Sequence, residues 1–67
     1  MIFVTVNGQP REVPDGLNIA TLVEELGFAG KRVAIELNGQ IVPRSRHHDT
    51  LVASADQIEI VVAVGGG

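Results

Sequence analysis

Gln57-Ile58-Glu59-Ile60-Val61-Val62-Ala63-Val64 is the most apolar run in the chain, and its place decides the arrangement of everything before it. A half-buried strand alternates apolar with polar residues, whereas this run is apolar at nearly every position. Such a strand is usually central, covered on both faces or flanked on both edges. The upstream segments must therefore supply its neighbours, and the run should insert between them.

Two hairpins offer those neighbours. Ile2, Val4 and Val6 alternate with Phe3, Thr5 and Asn7, and Asn7-Gly8 is a dipeptide favoured in tight hairpin turns. The return strand, Gln9 to Val13, contains Pro10, which has no N–H to give to a ladder and so belongs on a sheet edge. Pro14-Asp15-Gly16 ends it. Val33, Ile35 and Leu37 repeat the alternation up to a second Asn-Gly, Asn38-Gly39, followed by Gln40-Ile41-Val42-Pro43.

Between the hairpins the period changes. Ile19, Leu22, Val23 and Leu26 fall at i, i+3, i+4 and i+7, one apolar stripe of a helix of about two and a half turns. Asn18 is placed to cap its start and Gly27 to close its end in the left-handed conformation. Arg44 to Asp49 reads as a polar loop, Thr50 to Ala53 as a brief strand, and Ser54-Ala55-Asp56 as the turn into the last strand. The sum is an α+β domain spanning residues 1–67, with one main helix on one face of a mixed four- to five-stranded sheet. The β-grasp is the familiar solution for that element order.

Composition narrows the function. With no cysteine, the chain has neither disulfides nor thiolate metal ligands nor a thiol nucleophile, so any sulfur chemistry uses sulfur from outside. Its formal net charge of -3 argues against non-specific binding to nucleic acid or anionic membrane. Met1-Ile2-Phe3-Val4 shows neither a basic leader nor a long apolar stretch, and a cytoplasmic address is expected.

Beyond the last strand lies Gly65-Gly66-Gly67. Glycine lacks a side chain and reaches backbone conformations closed to other residues, so such an arm can enter a narrow enzyme cleft. Its tip is a carboxylate, ionised at neutral pH because an α-carboxyl titrates near about 3.5. Held against ATP by a partner, it can attack the α-phosphorus and form an acyl-adenylate, which a sulfur nucleophile converts to a thiocarboxylate. The chain has no phosphate-cradling motif of its own, so ATP must be bound elsewhere. On composition alone a frayed end explains the glycines equally well; their position directly after a central strand is what favours the working arm.

Other candidates are weaker. His47-His48 beside Asp49 are the only histidines, and adjacent loop residues do not readily converge on one metal ion, so a solvated loop is the preferred reading. Nothing marks Glu24, Glu25, Glu36 or Glu59 as acid/base groups. Lys31, Arg32, Arg44 and Arg46 lack interleaved aromatics and read as solvated or as the rim of a partner site. Strand alternation sends Phe3 and Val61 to the face opposite Ile2, Val4, Val6, Ile58 and Ile60. An apolar spot there would be a partner-docking surface, unless a loop or the tail covers it.

The chain resembles the ThiS family of ubiquitin-like sulfur carriers over its whole length. The resemblance rests on the Val6-Asn7-Gly8 start, Leu22-Val23-Glu24-Glu25-Leu26-Gly27, the stretch Val33 to Arg44, and Asp56-Gln57-Ile58-Glu59-Ile60-Val61 before the glycines. It implies a non-enzymatic sulfur carrier of thiamine biosynthesis, monomeric on its own and without a bound cofactor. Gly67 would be adenylated with ATP by a ThiF-type enzyme, converted to a thiocarboxylate, and presented by Gly65 and Gly66 to a ThiG-type thiazole synthase. The related molybdopterin carriers of the MoaD family, and ubiquitin-like protein modifiers, share the tail and stay open as alternatives. The family usually has Asp-Gly-Asp where Ser54-Ala55-Asp56 stands, so a turn avoiding positive φ at Ala55 is expected here. Asn18 replaces the usual Thr and caps equally well.

Overall fold

The computed structural model describes residues 1–63. The first hairpin joins β1 (Ile2–Val6) to β2 (Gln9–Val13). Its loop residues Asn7 and Gly8 have φ of 50° and 80°. Two consecutive positive φ values give the turn twist that matches right-handed strands. The second hairpin, β3 (Val33–Leu37) to β4 (Gln40–Val42), turns the same way through Asn38 and Gly39, with φ of 52° and 84°.

Between them lies α1 (Ile19–Glu25), seven residues and thus about two turns, slightly shorter than the apolar stripe suggests. The Asn18 side chain accepts from the Thr21 N–H at 2.7 Å. At the other end the Gly27 N–H donates to Glu24 O and the Phe28 N–H to Val23 O, a pair of bonds that closes the helix because Gly27 sits at φ 88°.

The last strand, β5 (Gln57–Val62), is central: the five-stranded sheet runs β2-β1-β5-β3-β4. It is parallel to β1 and antiparallel to β3. Pro10 falls on the edge strand β2, where its missing N–H breaks no ladder. One face of the sheet carries Val4, Val6, Val13, Ile35, Val42, Ile58 and Ile60 into a core closed by Ile19, Leu22 and Val23 of α1. Leu17 and Val52 complete it from the flanking segments. Among the described residues no helix is long and apolar enough to cross a membrane.

Three expectations are corrected. Residues Thr50 to Ala53 form no strand; Leu51 makes an isolated bridge with Asn18 instead. The backbone there serves the helix start, since Ile19 N–H donates to Thr50 O and Ala20 N–H to His47 O. These bonds satisfy donors that a helix leaves free in its first turn. The Arg44 to Asp49 stretch is not a solvated loop throughout: Arg44–Arg46 form a 3-10 turn that seats His47 in the interior, 8 % exposed, within 3.1 Å of Val42 O. His47 Nε2 must carry the proton there, because a carbonyl only accepts. His48 is exposed, as a loop residue should be.

The third correction concerns Ala55, which adopts φ 70°. Its neighbours impose the strain. The Ala55 N–H donates to Phe3 O at 2.8 Å, Asp56 N–H to Ala53 O at 3.1 Å, and the Asp56 carboxylate accepts from Ala53 N–H at 2.7 Å. Closing the turn onto β1 with these bonds requires the left-handed conformation, whose cost without glycine is about 1–2 kcal/mol.

Candidate functional site

The strand that leads to the terminal glycines is held on both sides by side chains as well as ladders. Asn7 Oδ1 accepts from Ile60 N–H at 2.8 Å, and Asn7 Nδ2 donates to Ile60 O at 3.2 Å. Since β1 pairs with β5 only through Thr5–Gln57 and Val6–Ile58, the Asn7 amide extends the pairing beyond the end of β1. On the other side Asn38 Oδ1 accepts from Gln57 N–H at 2.9 Å, and its Nδ2 donates to Asp56 at 3.0 Å. Each Asn-Gly turn therefore does two jobs, reversing the chain and clamping β5. Sequence reading recovered only the first; two Asn-Gly turns flanking one apolar strand were the available signal for the second.

Beyond Val62 the Ala63 N–H donates to Arg32 O at 2.9 Å, which extends the pairing with the β3 side to the last described residue. Gly65, Gly66 and Gly67, the expected working arm, lie outside the described residues.

The face of the sheet away from α1 carries the other expected site residues. Phe3 and Val61 are 62 % and 63 % exposed, so neither is taken up by the core. They do not form one spot. The bond from Ala55 N–H places Phe3 beside Ala55, six positions before Val61 along β5, about 20 Å away at the rise of a strand. Directly opposite Phe3 on β2 is Glu12. Val61 instead lies opposite Ala34, and the next row of that face is Glu59, Glu36 and Ile41 on β5, β3 and β4. Ile41 is 65 % exposed and was not singled out from the sequence, because its strand alternation alone does not say which face is covered.

On the helix side an open cleft of about 480 Å³ has Val23, Phe28 and Val33 in its floor and Lys31, Arg32 and Arg44 at its rim. The expected basic group is thus divided, with Arg46 lying beside β4 instead. Among the described residues no group of His, Asp or Glu is arranged to hold a metal ion.

Comparison with known proteins bears on what this arrangement is for. The family model described as "ThiS family" matches residues 4–67. This chain belongs to the ThiS family. It is similar to the crystal structure of the thiamine biosynthesis protein ThiS from Geobacter metallireducens, with a TM-score of 0.84 and 35% identity over 98% of this chain and 100% of that one. Among curated proteins it is 35% identical to "Uncharacterized protein ycf40" of Porphyra purpurea, covering 98% of this chain and 93% of the relative. It is also 36% identical to a stretch of the "Thiazole synthase" of Paramagnetospirillum magneticum, covering 96% of this chain but only 20% of that protein. ThiS membership accounts for the β-grasp sheet order and for the central strand that runs toward the terminal glycines.

Proposed function

We propose that the protein is a sulfur carrier of thiamine biosynthesis whose reacting group is the carboxylate of Gly67. The observation that carries this reading is the family match through residue 67 on a chain whose clamped central strand leads directly to Gly65-Gly66-Gly67. A carboxylate oxygen attacks the α-phosphorus of ATP in a ThiF-type enzyme, the bond to the β-phosphate breaks, and pyrophosphate leaves. Hydrosulfide supplied by the sulfur donor then adds to the acyl carbon, AMP departs and the S–H proton is lost, leaving a thiocarboxylate. That group hands its sulfur to a ThiG-type thiazole synthase. The similarity to part of a thiazole synthase supports that partner, since a carrier-like domain there shares a chain with the enzyme's name.

In this reading the activating enzyme provides the ATP site and any acid or base for these steps. The carrier supplies a rigid body, a reactive end and a surface to be recognised. In the same reading the partners dock on the outer sheet face, where Phe3 and Val61 are exposed as two separate apolar residues.

Incubation with ATP, a ThiF-type enzyme and a sulfur donor, followed by intact mass, tests the reading. The expected product carries one sulfur in place of one oxygen at Gly67. The Gly66→Val, Gly67→Val double variant should stay folded and release no pyrophosphate, because β-branched side chains widen and stiffen the arm. Undiminished pyrophosphate release from that variant would sink the mechanism, and adducts on lysines of other proteins would indicate a protein modifier instead.

A further inference from the structure

The sequence holds a single lysine, Lys31, and the fold sets it close to the last described residue. Gly30, at φ 79°, turns the chain after α1, and Lys31 N–H donates to Phe28 O at 3.0 Å to close that turn. Lys31 is exposed, stands on the rim of the helix-side cleft, and forms no ion pair among the described residues. The carbonyl of its neighbour Arg32 accepts from Ala63 N–H at 2.9 Å. One hydrogen bond across and one residue along separate Ala63 from Lys31, which puts their Cα atoms within about 10 Å. Val64 to Gly67 follow Ala63, and that length of chain spans up to about 14 Å, to which the four-carbon stem of lysine adds further reach. The other amine, at Met1, is paired with Asp15 at 3.6 Å and sits at the opposite end of the sheet. Strand β1 runs parallel to β5 with Thr5 opposite Gln57, so the steps from Met1 to Thr5 and from Gln57 to Ala63 add, giving about 33 Å at the rise of a strand. Gly67 can reach Lys31 and cannot reach Met1.

We propose that Lys31 is an intramolecular acyl acceptor, whose ε-amine captures the activated carbonyl of Gly67 as a Gly67–Lys31 isopeptide bond when no sulfur is delivered. The inference rests on the carrier reading, in which Gly67 is the activated end. The ε-ammonium first gives one proton to water. Its nitrogen lone pair then adds to the Gly67 acyl carbon, the bond from that carbon to the phosphate oxygen breaks, AMP leaves with the electron pair, and a second N–H proton passes to solvent. ATP, consumed in the adenylation, is the only co-reactant. Proximity favours this path over reaction with another protein, because a short tether holds the amine at about millimolar effective concentration against micromolar lysines in solution. While the arm lies in an activating enzyme, Lys31 stays outside on the body of the carrier, so capture follows release of the adenylate. Hydrosulfide attacking the adenylate on the enzyme forestalls it. The linked carrier has no terminal carboxylate left to activate, and idle adenylate is thereby withdrawn before it acylates other proteins.

Purified wild-type protein and the Lys31→Arg variant are incubated with ATP and a ThiF-type enzyme, the sulfur donor being left out, while pyrophosphate is measured and the products are read by intact mass. The wild type should accumulate a species lighter by one water, in a fraction independent of carrier concentration. Trypsin should no longer cut after Lys31 in that species, and tandem mass spectrometry should join Lys31 to Gly67. Lys31→Arg keeps the cation without an acylatable amine, so it should release pyrophosphate as the wild type does in the first turnover and yield about tenfold less of the light species. Adding the sulfur donor should convert both proteins to the thiocarboxylate and suppress the light species. Pyrophosphate release with the wild-type mass unchanged overturns the inference and leaves the carrier reading standing. Equal water loss from Lys31→Arg, or a link formed only between two carriers, overturns it in the same way. Absence of pyrophosphate release from the wild type counts against the carrier reading and this acceptor together.

Discussion

Replacing Asn7 by glycine keeps the positive φ of the first hairpin turn and deletes only the side-chain amide, which makes it a clean test of the clamp on β5. Two hydrogen bonds to the Ile60 backbone disappear, at 2.8 and 3.2 Å. A net hydrogen bond contributes about 1 kcal/mol, and a partly buried N–H left without a partner adds to the loss. Glycine also gains freedom in the unfolded chain worth about 0.5 kcal/mol. The expected destabilisation is about 2–3 kcal/mol, which for a domain of this size lowers the unfolding temperature by about 10–20 °C. Asn7→Ala should lose about 1 kcal/mol more, because alanine does not favour the φ of 50° found at this position. Urea unfolding followed by far-ultraviolet circular dichroism measures both, and amide exchange at Ile60 localises the effect. Should Asn7→Gly fall within about 0.5 kcal/mol of the wild type, with the Ile60 amide still protected, the clamp would carry no weight and the reasoning would be refuted.

Ala55→Gly should stabilise the domain by about 0.5–1 kcal/mol, because relief of the left-handed strain outweighs the added freedom of the unfolded chain; a lower unfolding temperature would contradict this. His47→Ala should cost about 2–3 kcal/mol through the unpaired Val42 carbonyl and the space left in the interior, while His48→Ala at the exposed neighbour should leave denaturant unfolding unchanged. Phe3→Asp should leave the domain folded, since the side chain is mostly in water, and lower the unfolding temperature by about 2–6 °C because the new carboxylate stands opposite Glu12. If Phe3 is a binding hot spot, affinity for a partner enzyme falls by more than about 2 kcal/mol in titration calorimetry; equal affinity for both enzymes would remove Phe3 from the interface.

What could be read without coordinates was whatever depends on residues close together in the chain. Alternation in Ile2–Val6 and Val33–Leu37, the Asn-Gly turns and the Asn18 cap are local, and each fixes backbone geometry over a few residues. The central place of β5 was legible for a different reason: its composition suits only a strand with neighbours on both edges. Exposure of Phe3 and Val61 followed from parity once a single helix had to cover one face. Their separation did not, because parity gives a face while position on it comes from the register of a parallel pairing between strands more than fifty residues apart.

The interior place of His47 was hidden for a similar reason. A polar run looks solvated until the 3-10 turn aims one of its members at the Val42 carbonyl, which completes the hydrogen bonding of a buried ring. At Ala55 a local rule was overruled, as three hydrogen bonds around the turn together outweigh a dihedral cost of about 1–2 kcal/mol. The sequence by itself thus determined the two hairpins, the helix and the last strand, the covered face and the terminal glycines after that strand, but neither the 3-10 turn at Arg44–Arg46 nor the absence of a strand at Thr50 to Ala53. Tertiary structure decided that the hairpin asparagines clamp that strand, for which the two Asn-Gly turns were only a hint, and that Glu36 faces Glu59, because both depend on contacts between segments far apart along the chain.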